Sequence, residues 1–355
     1  MNSSEPQPAD TPAGPVVPAI EPGVTYESSE PVVRAELAYP EPSPPPRRRR
    51  RIGLPLVLFL LTCFSTFLAG ATRYEPADYF QKAVENPLIG RTTAGELLDF
   101  MPLRAAIYSN WRQGLLYMGC VLAILFAHEM GHFVMTLIYR VRASLPFFIP
   151  LPISPIGTMG AVIAMDARQA NRRQIFDIGL AGPLAGLVVA IPIMWIGVQR
   201  FDFAPGGKDK LQAPLAMQLA IEYVHPDKLD AAQGFPLDRA NPWFMAGWVG
   251  LLVTGLNMLP VSQLDGGHVI YAIFGRRAHW IARGFMALAF CYIGYMALVH
   301  RTPTWVLMAV LVMIIGTDHP PTSDDTVPLG WFRTGLGLAS LAIPVFCFVP
   351  NLLLQ

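Results

Sequence analysis

The fold of this chain is decided by residues 114–139, which read GLLYMGCVLAILFAHEMGHFVMTLIY. The segment is long and apolar enough to cross a bilayer as one helix, for which about 20 residues suffice. Within it lies the pattern H-E-x-x-H, from His128 to His132. Residues i and i+4 share one face of a helix, so both imidazoles can reach one metal ion. Glu129 lies beside them and could accept a proton from a water molecule at that metal.

Polar groups at membrane depth are costly, and the residues that carry them there usually serve a function. The composition agrees with a membrane setting, because 53% of the residues are hydrophobic and only 14% are charged. A soluble domain has roughly 25% charged residues. The formal net charge of +1 excludes a general nucleic-acid-binding role. We therefore expect an all-α polytopic membrane protein that lies in the lipid bilayer and binds no nucleic acid.

The N-terminal region, residues 1–51, is polar, acidic and rich in proline, and it ends in the basic boundary Arg47–Arg51. It lacks the apolar residues that a core requires, so we expect a disordered tail. The five arginines precede an apolar run at 52–72, the first predicted transmembrane helix, and place the N-terminus in the cytoplasm. The acidic tail has no apolar core near residue 1, which favours a bacterial plasma membrane over an organelle.

Hydropathy divides the rest of the chain into an external segment at 73–112, a membrane core at 113–275 and C-terminal transmembrane helices at 276–355. After the first helix, spans are predicted at about 113–139, 175–198, 243–260, 279–298 and 304–316, with a further candidate at 334–354. The predicted total is six or seven transmembrane helices, because the last block is ambiguous.

Residues 143–172 do not form a clean span, because four prolines between Pro146 and Pro155 forbid a continuous helix. The segment is nevertheless strongly apolar, and it leads into a strand-like run at 161–165. Irregular backbone is tolerated at that depth only where protein covers it or where it lines a wet cavity. We expect a re-entrant or membrane-edge extended segment with a short strand, packed beside the metal site.

A catalytic zinc site needs a third protein ligand besides two histidines. Asp265 is the best candidate, because it follows the helix break after Pro260 and would otherwise be a costly charge at membrane depth. Asp166 and Asp177 are weaker candidates, since both lie near the arginine-rich boundary at 168–173, where they can be solvated or paired.

Five further residues carry weaker signals. Asn257 is a candidate catalytic residue that could donate to a developing oxyanion, and the alternative is an interhelical hydrogen bond. Gly182 and Gly186, four residues apart, are expected to serve close helix packing. His268 could be a fourth metal ligand, but we expect it to lie at a helix end near the cytoplasm. His319 could approach the site, but we expect it to lie in a solvated turn.

The motifs together resemble the site-2 protease family of intramembrane zinc metalloproteases. The matching stretches are HEMGH at 128–132, GTMGA at 157–161, FDIGLAGP at 176–183, NMLP at 257–260 and LDGGH at 264–268. The plastid yellow-green-mutant type, with its bacterial relatives, is the most similar subgroup. The resemblance covers about residues 113–275, which makes this stretch the expected catalytic membrane core.

The resemblance implies that His128, His132 and Asp265 bind one zinc ion per chain and that Glu129 is the general base. It implies a zinc metalloendopeptidase that hydrolyses a peptide bond within or near a transmembrane segment of a membrane-protein substrate. Such regulated intramembrane proteolysis commonly acts on an anti-sigma factor or a membrane-anchored regulator. The active site is implied to lie nearer the cytoplasmic face.

Two alternatives stay open on the sequence. A membrane metal transporter would also place histidine and aspartate at membrane depth, and a catalytically inactive scaffold relative would keep the same fold. Glu129 between the two histidines favours the protease. Many relatives carry a PDZ domain, but no segment here is expected to be long enough for one, so the external segment and the tail are alternative regulatory surfaces.

Overall fold

The computed structural model of the chain describes residues 52–85, 100–204, 210–228, 234–261, 263–300, 305–306, 320–350 and 353–354. The predicted basic boundary, most of the predicted span at 304–316 and His319 lie outside these residues. Part of the predicted external segment, at 86–99, lies outside them as well.

Helices make up most of the described chain. The α-helices are α1 (Gly53–Ala71), α2 (Pro76–Glu85), α3 (Met101–Ile138), α4 (Arg172–Gln199), α5 (Leu215–Val224), α6 (Pro242–Asn257), α7 (Asp265–Phe274), α8 (Ala278–Tyr295), α9 (Trp331–Ser340) and α10 (Ile343–Cys347). The strands are β1 (Phe147–Pro150), β2 (Thr158–Val162), β3 (Lys210–Gln212), β4 (Gly234–Pro236) and β5 (Leu353–Leu354). Short 3-10 turns lie at Ala167–Gln169, Pro226–Lys228, Leu237–Arg239 and Gly275–Arg277, and a π-helical turn lies at Met296–His300.

Within the described part of the chain, four helical stretches are long and apolar enough to cross a membrane. They are Gly53–Ala71, Met101–Ile138, Arg172–Gln199 and Asp265–Val299. The chain is therefore a mostly helical integral membrane protein. The total of six or seven spans stays a prediction, because most of the candidate at 304–316 is outside the described residues.

The core is built around α6, which packs against α3 and α4. Phe244, Met245 and Trp248 on this helix are almost completely buried. A helix that is apolar on all sides belongs inside a protein. The start of α6 is fixed by Asn241, whose side chain accepts a hydrogen bond from the N–H of Phe244 at 2.9 Å.

The start of α4 is fixed by a reciprocal cap. The Asn171 side chain accepts from the N–H of Gln174 at 3.0 Å, and the Gln174 side chain accepts from the N–H of Asn171 at 2.9 Å. This capping box satisfies two backbone donors that no earlier helical turn can satisfy. It also sets the register of the residues that α4 presents to α3.

The proline-rich segment forms an antiparallel hairpin of β1 and β2, in which Phe147 pairs with Val162 and Phe148 with Ala161. This is the extended element that the sequence predicts. A second, three-stranded sheet has the order β4-β3-β5. The indole N–H of Trp248 donates to the carbonyl of Gln212 at 2.8 Å and so joins β3 to α6.

Two hydroxyl groups tie the turn of the hairpin to membrane helices. Ser65 on α1 donates to the carbonyl of Gly157 at 2.6 Å, and Tyr117 on α3 donates to the carbonyl of Ile156 at 2.9 Å. Gly157 has a φ of +80°, and a Cβ atom there would lie 2.7 Å from the backbone of Thr66. Glycine is therefore required where the turn meets α1.

Two helices differ from the predicted spans. The helix predicted from 113 begins at Met101 and passes a non-helical residue at Asn110. Arg104 and Arg112 on this added length are exposed, so their charges do not interrupt the helix. The block at 334–354 is divided between α9 and the short α10, and Pro344 at the start of α10 lacks a backbone donor.

Candidate metal centre

Two histidines of α3 lie one helical turn apart. The side chains of His128 and His132 are only 3% and 12% exposed. Their Nε2 atoms are 3.2 Å apart, and the two rings meet edge to face. The i, i+4 spacing thus brings both imidazoles onto one buried face of a helix that can span a membrane.

Asp265 meets these histidines from α7, of which it is the first residue. Its Oδ2 lies 3.2 Å from Nε2 of His128, and its Oδ1 lies 3.3 Å from Nε2 of His132. The carboxylate is 13% exposed. Gly266 packs directly against the carbonyl of Met258, which lets α7 begin this close to the end of α6.

The three side chains are close enough together to hold one metal ion. Zinc–ligand distances of 2.0–2.1 Å put neighbouring ligand atoms about 3.3 Å apart. The two Nε2 atoms are 3.2 Å apart, and each lies near a different carboxylate oxygen of Asp265, at 3.2 Å for His128 and 3.3 Å for His132. His128, His132 and Asp265 are also the group of metal-binding side chains found in the described residues. Three protein ligands leave one position for water or substrate, as in catalytic zinc sites.

One of the two imidazoles is oriented by a backbone carbonyl. Nδ1 of His132 lies 2.7 Å from the carbonyl oxygen of Ile178 on α4. Donation of Nδ1–H to this oxygen leaves the Nε2 lone pair free for a metal, an arrangement common among metal-bound histidines. Nδ1 of His128 has no hydrogen-bond partner among the described residues.

Glu129 and Asn257 border the same three ligands. Glu129 is 3% exposed, so its carboxylate is held in the protein interior beside His128. Asn257 is the last residue of α6, and its Nδ2 lies 3.2 Å from Nε2 of His128. Its amide therefore lies beside the candidate metal ligands.

A cavity of about 380 Å³ joins these groups. Its lining is formed by the predicted site residues together with other side chains of α3, α4, the hairpin and the α6–α7 turn. The lining residues are His128, Glu129, His132, Thr136, Ala161, Val162, Ile163, Ala164, Met165, Ile178, Asn257, Gln263, Leu264, Asp265, His268 and Pro320. This volume is within the range of about 300–1,000 Å³ that is usual for ligand pockets.

One wall of the cavity is the extended backbone that continues β2. The carbonyl of Ala164 accepts from the N–H of Ser144, on the β1 side, at 2.9 Å. Backbone groups of successive residues in a strand point to opposite edges. The N–H and carbonyl of Ile163 therefore point away from β1, and this residue lines the cavity.

Two glycines of α4 make room for the histidine rings. A Cβ atom at Gly182 would overlap the ring of His132, and a Cβ atom at Gly186 would lie 3.2 Å from Nδ1 of His128. These glycines do serve helix packing, as the sequence predicts, but the groups packed on them are the two imidazoles. Their spacing of four residues matches the spacing of the histidines across the α3–α4 interface.

The weaker metal candidates lie elsewhere. Asp177 accepts hydrogen bonds from Tyr139 and Arg333, and Asp166 accepts from Gln169. His268, expected near a helix end, is in the first turn of α7, and it also lines the cavity. Sequence reasoning missed the contribution of Thr136, Gln263 and Pro320 to this cavity, because no motif marks them.

Comparison with known proteins identifies the family of this chain. Residues 116–300 match the model of peptidase family M50, and this stretch is more than half of the 355 residues. The chain belongs to peptidase family M50. No solved structure gives a significant match.

The M50 relatives include plastid proteins. The chain is 30% identical over 235 residues to "Probable zinc metalloprotease EGY1, chloroplastic" of Oryza sativa subsp. japonica, covering 65% of this chain and 39% of that protein. The EGY1 protein of Arabidopsis thaliana is 29% identical over 241 residues, covering 65% and 42%. EGY2 of Arabidopsis thaliana, also named a probable zinc metalloprotease, is 24% identical over 237 residues, covering 64% and 40%.

The chain therefore spans about two fifths of the length of these M50 relatives. The comparisons confirm the predicted family and its similarity to plastid members. The names of these relatives carry the predicted enzyme class, zinc metalloprotease, and the predicted metal. The three ligands described above could hold that ion.

Proposed function

We propose that this M50 chain is a zinc metalloendopeptidase that hydrolyses a peptide bond within or near a transmembrane segment of a membrane protein. The observation that carries this proposal is the position of the three ligands. His128 and His132 lie inside a helix long and apolar enough to cross a membrane, and Asp265 begins another such stretch. A peptide that reaches this group has to enter at membrane depth.

The proposed chemistry divides between the metal and two side chains. His128, His132 and Asp265 would hold the zinc ion, which would supply Lewis acidity to activate water and polarise the scissile carbonyl. Glu129 accepts the proton of the attacking water and passes it to the leaving amine. The amide of Asn257 donates to the oxygen on which negative charge develops.

The substrate must be unwound before it is cut, because the peptide bonds of a helix are shielded and hydrogen-bonded. We propose that the unwound segment pairs with the extended backbone that continues β2 along the cavity, through the backbone groups of Ile163. Strand addition of this kind supplies main-chain hydrogen bonds without regard to side-chain identity. The lining of the cavity by residues 161–165 supports this placement.

The proposed setting follows the positive-inside rule. The arginines at 47–51 would lie in the cytoplasm, with the chain crossing a bacterial plasma membrane six or seven times. In this arrangement the tail would lie in the cytoplasm. The first helix, the external segment, the catalytic core and the C-terminal helices would follow it in the predicted order. Substitution of Arg47–Arg51 by glutamine should invert or scramble the first helix in a cysteine-accessibility assay, and an unchanged orientation would contradict this topology.

The decisive experiment compares Glu129→Gln with wild type in the full chain, reconstituted in liposomes with a single-span membrane protein as the probe. Bound zinc, proteolysis and zinc flux are all measured. Wild type should cut the probe, and E129Q should lose cleavage while keeping zinc. Glu222→Gln, on an exposed residue of α5, is the matched control and should cut normally.

The alternatives give different results in the same experiment. A metal transporter would move zinc across the liposome membrane and cut nothing in either form. A scaffold relative would neither cut the probe nor move zinc. Either outcome would overturn the proposed protease.

A further inference from the structure

An ion pair away from the metal ligands joins three helices. Arg333 on α9 donates to both carboxylate oxygens of Asp177 on α4, at 2.8 and 3.0 Å. Tyr139, which directly follows α3, donates to the same carboxylate at 2.5 Å. Asp177 is thus held from two sides, and its side chain is only 15% exposed.

Asp177 directly precedes the residue whose backbone carbonyl orients a metal ligand. The residue after Asp177 is Ile178, whose carbonyl accepts from Nδ1 of His132 at 2.7 Å. Tyr139 follows His132 by seven residues, which is two turns along the same face of the chain. The α3–α4 interface is therefore fixed at two neighbouring points, one of which is the imidazole itself.

We propose that Arg333 is a positioning residue for zinc, which acts through Asp177 and the carbonyl of Ile178 on the orientation of His132. The inference rests on the proposed function in that it takes the three-ligand group as a zinc site. Arg333 touches no ligand, so its effect is on the geometry of the site. It also gives α9, far along the sequence from both motifs, a role in the catalytic centre.

The chemistry of the pair suits a positioning role. A guanidinium bound to both oxygens of a carboxylate fixes the plane of that carboxylate, whereas a lysine offers only a point charge. Burial raises the pKa of the Tyr139 phenol, and its hydrogen bond to Asp177 raises it further. The hydroxyl therefore stays protonated near neutral pH and keeps donating to Asp177.

The same chain offers a matched control. Arg239 and Asp202 also form an ion pair, at 3.2 Å, but their side chains are 38% and 60% exposed. Exposed pairs of this kind contribute little to stability. Asp202 follows the C-terminal end of α4, whereas Asp177 lies near its N-terminal end, so Arg239→Gln removes an arginine ion pair at the opposite end of that helix.

The test measures metal binding in the full chain in detergent. Zinc affinity is obtained by competition with a chelator, and the ligand field is obtained from the visible absorption of the Co²⁺-loaded protein. R333Q should weaken zinc binding by about tenfold, the lower end of the effect of groups that orient a ligand. Its Co²⁺ bands should shift. R333K should restore part of the affinity, and R239Q should match wild type in both measurements.

A second variant, Tyr139→Phe, removes the other donor to Asp177 and should shift the Co²⁺ bands in the same direction. Unchanged zinc affinity and Co²⁺ bands in both R333Q and Y139F would overturn the inference and leave the ion pair a purely structural contact. Failure of the proposed function is distinguishable, because wild type itself would then bind no zinc or cut no probe.

Discussion

Gly182 of α4 lies directly against the imidazole of His132, so closely that a methyl group at position 182 would overlap the ring. The ring cannot retreat freely, because its Nδ1 is bound to the carbonyl of Ile178 on the same helix. Helix α4 therefore both orients the His132 ring and limits its movement. The close approach requires a residue without a side chain.

Gly182→Ala should consequently lower zinc affinity by at least about tenfold, because the added methyl displaces His132 from the ligand position. Chelator competition measures the loss. Gly119→Ala is the control, since position 119 is an exposed glycine of α3 with no neighbouring atom near its Cβ position. Equal zinc affinity in the two variants would show that the ring adapts to the methyl.

Asp265→Asn should reduce zinc affinity by more than about a hundredfold, because it removes the charge of a direct ligand rather than a group that supports one. The matched control is Asp166→Asn, at a carboxylate bound to Gln169. D166N should retain one zinc per chain by elemental analysis. Retention of zinc by D265N would mean that another residue completes the site.

Ile163→Pro tests the strand edge. Proline removes the backbone N–H that points away from β1, and one such hydrogen bond is worth about 0.5–1.5 kcal/mol. The ratio kcat/KM should fall roughly threefold to tenfold by this estimate, with bound zinc unchanged. Ile163→Ala keeps the N–H and serves as the control. If I163P turns over substrate as fast as I163A, substrate does not pair with this edge.

Asn257→Ala tests oxyanion stabilisation. Loss of one such donor commonly lowers kcat by about a hundredfold or more. KM should change little, because the hydrogen bond strengthens only as charge develops. Zinc content should stay at one per chain. The control is Asn110→Ala on α3, about five helical turns before His128, where the amide donates within its own helix. A rise in KM with unchanged kcat would assign Asn257 to substrate binding alone.

Removal of the metal should lower stability as well as activity. The ligands come from α3 and α7, so a bound ion ties two distant parts of the chain together. At a zinc concentration one hundred times the Kd, binding adds about 2.7 kcal/mol to the free energy of unfolding. Thermal denaturation with and without a chelator measures the difference, and D265N should show none. A wild-type Tm that is the same with and without the chelator would contradict this coupling.

The sequence predicts the metal group well because its signals are local and chemical. His128 and His132 occupy one face of any helix, and a carboxylate such as Asp265 needs a partner at membrane depth. The hairpin was predictable for a similar reason, since prolines exclude a helix between β1 and β2. The start of α3 at Met101 was not predictable, because exposed arginines occur both on helices and in segments outside the membrane.

Other features depend on contacts between segments far apart in sequence. The overlap between position 182 and His132 follows from the register of α4 against α3, which a single sequence does not encode in any motif. The bond between Arg333 and Asp177 joins residues 156 positions apart. Arg333 immediately precedes the apolar block at 334–354, and no sequence motif marks it.

The turn at Gly157 is fastened to α1 by Ser65 and to α3 by Tyr117. Because both anchors belong to helices that can cross the bilayer, the strand that follows is held at a fixed depth relative to those helices. If a substrate pairs with this strand as proposed, the strand would fix the depth in the membrane at which the peptide bond is cut. A substrate helix shifted by one residue toward the cytoplasm would present the next peptide bond at the same level, and the cut would move along its sequence.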